Sequence, residues 1–586
     1  MKTLSALAIL LAPLCAVPAI AQQAQPDSRS YFTARVTQRT TPQQLNAQDR
    51  DYYDRLFTAI EREQWSQVQA LLAERPSGLL HDVARAQYYL AANSPRVELD
   101  QITQWLATGY ELPQAEQLVR LGQSRGLVDA PRLPYEREVV SQRSVPRRTR
   151  PSSIDDGTMP SEIRAAILER ISADDPTGAR VLLDGIDASL SSDARAEWRQ
   201  RIAWSYFIEN QDASALAMAQ TVAAGTGPWV PEGDWTVGLA AWRLGDCEMA
   251  GGAFQRAAAG AVNPELRAAS LYWASRAALR CRQSDLSSRL LNDAALLDQS
   301  LYGMLASEEL GRQLPDRVES AEFTAADWQA IGSNQNVRVA VALDEIGRET
   351  LASQVLLHQA RIDDPRRYDA YSRLARELGF PQTQMYMALN APVGGEADPA
   401  SFYPAPKIAP ATGWQVDPGL AFAHILQESV FRANAVSPAN AQGLMQITPP
   451  TVRQHASCVG RPAGAIDVFD PQWNLALGQC NLQMVARNPA TQGRLPQVMA
   501  AYNAGLSPIT RWVTEVNDQG DPLLYMEAIP YWETRGYVAI VMRNYWMYER
   551  QANAASPSRL ALAQNRWPMF PDTGSDGRLY MSAGQQ

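Results

Sequence analysis

The chain has 586 residues, 46% hydrophobic and 20% charged, with a net charge of −9, five Cys and four His. It is too apolar to be disordered and too poor in cysteine to be a disulfide scaffold. Its acidic balance argues against nucleic acid as a partner, because a phosphate backbone needs a basic footprint. Four histidines argue against a His-rich metal centre.

Residues 1–21, MKTLSALAILLAPLCAVPAIA, read as a cleavable export signal. Lys2 precedes an apolar run from Leu4 to Leu14, and Ala19-Ile20-Ala21 forms a small-x-small cleavage site. The run is shorter than the ~20 residues of a membrane span and is broken by Pro13 and Pro18. Leu14 stands before Cys15 where a lipoprotein signal has a small residue. No later stretch approaches spanning length without charge, so no stable membrane insertion is expected. The mature chain is expected in a bacterial periplasm, as a monomer. Cys247, Cys281, Cys458 and Cys480 then lie in an oxidising compartment, where an even number suggests pairs. Of three connectivities we favour Cys247–Cys281 and Cys458–Cys480, since each pair stays inside one domain. No C-x-x-C spacing points to zinc.

Residues 22–41 are expected to be flexible. From 42 to 395 the chain is rich in helix formers, with apolar residues at helical spacing in short blocks and no strand-type alternation. In WRLGDCEMAGGAFQRAAAGAVNP, the turn at Gly245-Asp246 precedes Ala250, Phe254, Ala257 and Pro264, a pattern similar to the second helix of a tetratricopeptide hairpin. Asp212, Asp246 and Asp285 mark similar turns 34 and 39 residues apart. One hairpin cannot bury its apolar stripe, whereas stacked hairpins form a curved superhelix. Cys247 would open the second helix of one hairpin and Cys281 would close the first helix of the next, so a bridge would staple neighbours. Residues 141–161, SQRSVPRRTRPSSIDDGTMPS, read as an exposed loop or linker, with Arg143, Arg147, Arg148 and Arg150 solvated. A Pro- and Gly-rich stretch over 391–412 marks a boundary. A second domain follows over 413–551, and 555–586 is a tail.

Asp417-Pro418 predicts a helix start, with Asp as N-cap and Pro at the first position. Its far end carries Glu428, among Leu426, Val430 and Phe431. Burial there, away from the favourable helix N-terminus, would raise the carboxyl's pKa. That is what an acid catalyst needs near neutral pH.

After Glu428 come S-P-x-x-A-x-G-L-M-Q-x-x-P-x-T from Ser437, A-Y-N-A-G over 501–505, and E-T-R-x-Y-V from Glu533. With E-S-x-F at Glu428, this ordered set resembles the soluble lytic transglycosylases of bacterial cell walls. The segment AALLDQSLYGMLASEELG also resembles that family's superhelical region. The likeness is strong over about 413–550 and looser over the repeats. It implies an all-α protein, a helical-repeat superhelix followed by a lysozyme-like catalytic domain. It implies cleavage of the β-1,4 bond between N-acetylmuramic acid and N-acetylglucosamine, leaving a 1,6-anhydro-muramic end. Glu428 matches the acid/base. Ser437, Met445 and Gln446 match groups near the muramoyl sugar, Tyr502 and Asn503 the cleft lining, and Glu533 and Tyr545 positions close to the reacting centre. The partner implied is the peptidoglycan glycan strand, with the superhelix free to meet other cell-wall enzymes.

The chemistry is coherent with one carboxyl. Most glycosidases use two, but here the substrate's tethered C6 hydroxyl attacks, at high effective concentration and without water. No metal or organic cofactor is called for. Glu533 is the candidate second carboxylate, which would allow water attack and make the protein a muramidase. A non-catalytic glycan-binding scaffold with a protein-docking solenoid is the reading from another class. Two departures from the family pattern stand out: Leu426-Gln427 replaces a common Arg-Gln, and Asn440 replaces a common Gly. His424, one helical turn before Glu428, could lower the acid's pKa if charged or orient it if neutral; the default expectation is a His without a role.

Overall fold

In a computed structural model, the structure describes residues 27–312, 314, 322–397, 399–573 and 579–581. The expected export signal lies outside these residues. Among them the fold is all-α apart from two short two-stranded pairings, Val139–Ser141 with Asn390–Pro392 and Pro571–Thr573 with Leu579–Met581. No helix among the described residues is long and apolar enough to cross a membrane.

The repeat signals read from the sequence fall where hairpins turn. Asp246 caps helix Cys247–Gly260 by accepting a bond from the Met249 N–H at 2.9 Å, and Asp212 and Asp285 sit in the first turns of Asp212–Gln220 and Ser284–Ala295. Helix Val230–Arg243 packs on Cys247–Gly260 through a notch at Gly238, where a Cβ would lie 2.4 Å from the Phe254 ring. Cys247 opens its helix and Cys281 closes Pro264–Arg280; the two are joined in a disulfide with Cα atoms 5.7 Å apart. The second pair, Cys458–Cys480, ties the segment after helix Pro449–His455 to helix Pro471–Ala486.

The cores do not divide as the chain does. Helices between residues 47 and 124 share one core with those between 325 and 389, so the start and end of the superhelix meet. Asn336 Nδ2 donates to the Glu111 carbonyl at 2.8 Å across that contact. The middle repeats share a second, continuous core with the C-terminal domain. Polar ties reinforce this junction: Arg543 to Glu265 at 2.9 Å, Arg276 to Asp521 at 2.6 Å and Arg559 to Glu308 at 2.7 Å.

Two expectations are corrected. Within 22–41, expected to be flexible, residues Ser28–Thr37 form a helix with Asp27 as N-cap. Phe32 on that helix is buried edge-on against Phe422 and Tyr548, and Ser28 Oγ donates to Asp417. A buried ring and a capping bond to a distant domain leave no sequence signal within so short a segment. Residues 142–160 are irregular as expected, and Arg143, Arg147 and Arg150 are exposed, but Arg148 is not free in solvent. Arg148 pairs bidentately with Glu232 at 2.5 and 2.6 Å, Arg150 lies 4.3 Å over the Trp532 ring, and Trp229 Nε1 donates to the Ser152 carbonyl. The stretch is a strap held by buried carboxylates and indole rings contributed from elsewhere.

Candidate active site

Helix Pro418–Glu428 starts as its sequence dictates. Asp417 caps it through the Gly419 N–H at 2.8 Å, and Leu420 through Leu426 are buried. Glu428 is its last residue. The chain then turns out through Val430 and Phe431, both left-handed with φ of 51° and 58°. For a β-branched residue this conformation costs about 1–3 kcal/mol and needs surrounding structure to hold it. Phe431 is buried near Phe422, and Ser429 Oγ donates to the Leu444 carbonyl at 2.7 Å. The turn is thereby bolted to the loop carrying Gly443 through Gln446.

That loop is organised by Asn474, a buried residue of helix Pro471–Ala486. Its Oδ1 accepts from the Met445 N–H at 2.7 Å and its Nδ2 donates to the Gln442 and Val468 carbonyls at 3.0 and 2.8 Å. Gly443 has φ of 75°, and a Cβ there would lie 2.1 Å from Asn474 Nδ2. Asn440 adopts φ of 59°, a left-handed conformation that Asn tolerates, so its departure from the family's Gly is sterically neutral.

Glu428 is half-buried, and its pKa is pushed up to about 7. Burial is the main cause, opposed by a hydrogen bond from Tyr537 and assisted by the charge of Glu533. Tyr537 Oη donates to Glu428 Oε1 at 2.7 Å and lies 2.7 Å from His424 Nδ1. His424 is fully buried, and burial pushes its pKa down to about 3, so it is neutral. With the hydroxyl donating to Glu428, Nδ1 carries the proton that the hydroxyl oxygen accepts. Nε2 is then a lone pair without a partner. His424 thus touches Glu428 through Tyr537. The sequence pattern held Tyr537 within E-T-R-x-Y-V, four residues after Glu533, but did not single it out.

The other expected site residues fall into two groups. Around Glu428 stand Tyr502, whose ring centroid is 4.7 Å from that of His424 and whose hydroxyl donates to the Met445 carbonyl at 2.8 Å, and Asn503, whose Oδ1 accepts from Thr534 at 2.7 Å. Glu533 is exposed, and its charge is felt by Glu428. Arg535 does not pair with Glu533; it donates to the Ile529 carbonyl at 3.1 and 2.7 Å. Ser437 is half-buried, with its Oγ accepting from the Ala441 N–H, and Gln446 Nε2 donates to the Gly443 carbonyl at 2.9 Å.

Two placements correct the sequence reading. The Met445 side chain is fully buried, its sulfur pressed on Gly478, so it supports the loop from beneath and does not face a sugar. Tyr545 is also buried, and its hydroxyl donates to Asp417 Oδ2 at 2.8 Å. Helix Trp532–Gln551 runs antiparallel to Pro418–Glu428. Eight residues beyond Tyr537, about 12 Å along the axis, it has reached the opposite end of the Glu428 helix. Tyr545 secures the helix start and lies away from the carboxyl. Among the described residues no group of three or more His, Cys, Asp and Glu side chains could hold a metal ion.

An all-helical superhelix joined to a compact helical domain, with one raised carboxyl at a helix end, defines a class. The same helical fold recurs in the structure of an inactive mutant of the lytic transglycosylase Slt from Pseudomonas aeruginosa, which is 18% identical, covers 91% of this chain and 89% of its own, and superposes with a TM-score of 0.50. At that identity the likeness concerns the fold. Residues 406–524 match the transglycosylase SLT domain. Over that segment the chain is similar to the soluble lytic transglycosylases. It is 30% identical to the soluble lytic murein transglycosylase of Escherichia coli K12 over 155 residues, 26% of this chain and 24% of that protein. It is 25% identical to that of Salmonella typhimurium over 280 residues, 46% of this chain and 42% of that protein. The chain spans less than half the length of the curated relatives it matches.

Proposed function

We propose that the chain is a peptidoglycan lytic transglycosylase with Glu428 as its single acid/base. It cleaves the β-1,4 bond between N-acetylmuramic acid and N-acetylglucosamine. The observation that carries this reading is the Glu428 carboxyl, pushed up to about 7 by burial and anchored on one oxygen by Tyr537. Tyr537 occupies Oε1 and leaves Oε2 for the substrate. Protonated Glu428 gives its proton to the bridging oxygen as the C1–O bond breaks, and the departing N-acetylglucosamine leaves as an alcohol. The cationic C1 is stabilised by the substrate's own acetamido group. The resulting carboxylate then takes the proton of the C6 hydroxyl while the C6 oxygen closes onto C1. The proton count returns to its start and no water is consumed. Positioning and acid catalysis of this kind each contribute large rate factors, acid catalysis about 10²–10⁴-fold.

Peptidoglycan lies outside the cytoplasmic membrane, so this role goes with export to the periplasm through residues 1–21. The two disulfides between Cys247 and Cys281 and between Cys458 and Cys480 suit that compartment. One observation favours a second reading: the exposed Glu533 carboxylate acts electrostatically on Glu428, and if it guided water the protein would be a muramidase. Digestion of purified cell wall followed by mass spectrometry of the fragments tests both. Anhydro ends one water lighter than reducing ends support the transglycosylase. Ends carrying solvent oxygen support the muramidase, and no release at all leaves only a glycan-binding scaffold. Glu428→Gln should abolish release.

A further inference from the structure

At the end of the Glu428 helix opposite the acid lies a group of buried polar side chains that the proposed reaction does not use. Asp417 and Glu549 are each only 2% exposed, and the Tyr545 hydroxyl reaches both. Asp417 accepts three bonds: from Ser28 Oγ and the Gly419 N–H on Oδ1, and from Tyr545 on Oδ2. Glu549, one helical turn beyond Tyr545, accepts from Ser556 Oγ on Oε2 and lies within hydrogen-bond reach of the same Tyr545 oxygen.

A tyrosine hydroxyl carries one proton, and Tyr545 gives its proton to Asp417. Its oxygen meets Glu549 as an acceptor, so Glu549 supplies the proton of that contact. The arrangement holds one proton on two carboxyls, with Glu549 the acid and Asp417 the carboxylate. Among the described residues neither group is neutralised by an ion pair. Arg559, whose charge reaches Glu549, is paired with Glu308 at 2.7 Å. Arg29 donates to the Trp414 carbonyl, and Arg35 and Arg376 both go to Glu322. Asp27 adds a further negative charge beside Asp417. Burial pushes both carboxyls up, and the charge of Asp417 raises Glu549 further. Two carboxylates buried side by side are costly, so loss of the proton must admit water.

Water enters where the packing is weakest. Ser28–Thr37 is a helix of 10 residues near the start of the chain, too short to persist without its seat. Its Tyr31 and Arg35 are held by Glu322. That contact keeps its charge state between pH 6 and 9, because Glu322 is held down at about 2 and Tyr31 is pushed above its ordinary value. The Ser28 end depends instead on Asp417.

We propose that Ser28, Asp417, Tyr545 and Glu549 form a pH-sensitive latch, closed by the shared proton and opened at the Ser28 end as rising pH removes it. The same Asp417 caps the helix that ends in Glu428, so the latch ties the start of the chain to the helix of the candidate acid. This inference stands without the cell-wall reading.

Hydrogen exchange over residues 27–37 of the full chain, followed by mass spectrometry at pH 6 and pH 9, tests the latch. Wild type and Glu549→Gln are compared at the same pH, which cancels the intrinsic effect of pH on exchange. The Gln amide keeps a donor toward Tyr545 and does not titrate. The expected result is equal exchange at pH 6 and at least tenfold faster exchange in the wild type at pH 9. Glu428→Gln, which removes the other carboxyl titrating in this range, should respond as the wild type does. Ser28→Ala should exchange fast at both pH values, and it keeps the test open if Glu549→Gln fails to fold. The wild type must then match Ser28→Ala at pH 9 and exchange at least tenfold more slowly at pH 6. Equal exchange in wild type and Glu549→Gln at pH 9 overturns the proposal, as does a response lost in Glu428→Gln or spread evenly over the whole chain. Wall digestion is not the readout, so failure of the catalytic reading leaves the latch standing, and failure of the latch leaves that reading untouched.

Discussion

Tyr537 holds Glu428 by one oxygen: its hydroxyl donates to Oε1 at 2.7 Å, and its oxygen lies 2.7 Å from His424 Nδ1. The acid is thus oriented by a neutral buried pair, and no cation stands among its hydrogen-bond partners. A neighbouring cation would have pulled its pKa down and defeated proton donation at neutral pH.

The pH dependence follows. Glu428 is pushed up to about 7, and the acid form is the one the proposed reaction needs. Wall digestion should hold in mildly acid buffer and fall as pH rises through about 7. The stability linkage has the same sign. A carboxyl with a raised native pKa contributes stability that is complete below its unfolded value and is lost as pH rises through about 7. Glu428→Gln should therefore gain about 2 kcal/mol over the wild type at pH 9, after screening by water in the cleft, and nothing at pH 4. Melting curves at the two values check it; equal differences at both would contradict the raised carboxyl.

Tyr537→Phe removes the bond that lowers the Glu428 pKa. The alkaline limb of the profile should move to higher pH while the maximal rate falls about tenfold or more. It also leaves both nitrogens of buried His424 without partners, at a cost of about 1–3 kcal/mol. His424→Leu removes the unpartnered Nε2 together with the Nδ1–H bond to the Tyr537 hydroxyl, which still donates to Glu428, so stability should fall by about 1 kcal/mol, and the rate should drop by less than in Tyr537→Phe with KM unchanged. Initial rates across pH for both variants distinguish positioning from simple loss of folding.

Gly443→Ala places a Cβ against Asn474 at a left-handed position. Asn474 cannot yield without releasing Met445, Gln442 and Val468. We expect a loss of about 2–4 kcal/mol and of activity together, read by denaturant unfolding and wall digestion. A neutral outcome would mean that the loop is not fixed by Asn474.

Phe32→Ala should cost about 3–5 kcal/mol as a large-to-small core change, although it lies near the start of the chain. The loss should appear as protease sensitivity around residues 414–431, since Phe422 loses its edge-on partner. A change within a few tenths of a kcal/mol would return residues 22–41 to the flexible role expected from sequence.

Legibility followed the range of the interaction. The Glu428 helix was readable because Asp417 and Pro418 act within one turn, and the hairpin starts because Asp246 caps its own helix. The Cys247–Cys281 staple was readable once hairpins were placed end to end. Tyr545, Met445 and Arg148 were misplaced because their neighbours are set by packing between distant segments. Antiparallel docking sends Tyr545 to Asp417, and Trp532 receives an arginine from 382 positions earlier. Tyr537 lay inside a motif, but its bond to Glu428 needed that same docking.

The clip between Ser28 and Asp417, 389 positions apart, makes the beginning of the polypeptide wait for its end. During synthesis the aromatic face of Phe32 emerges early and finds no seat until the last third has been made. A stalled or shortened copy therefore displays an unclaimed hydrophobic handle.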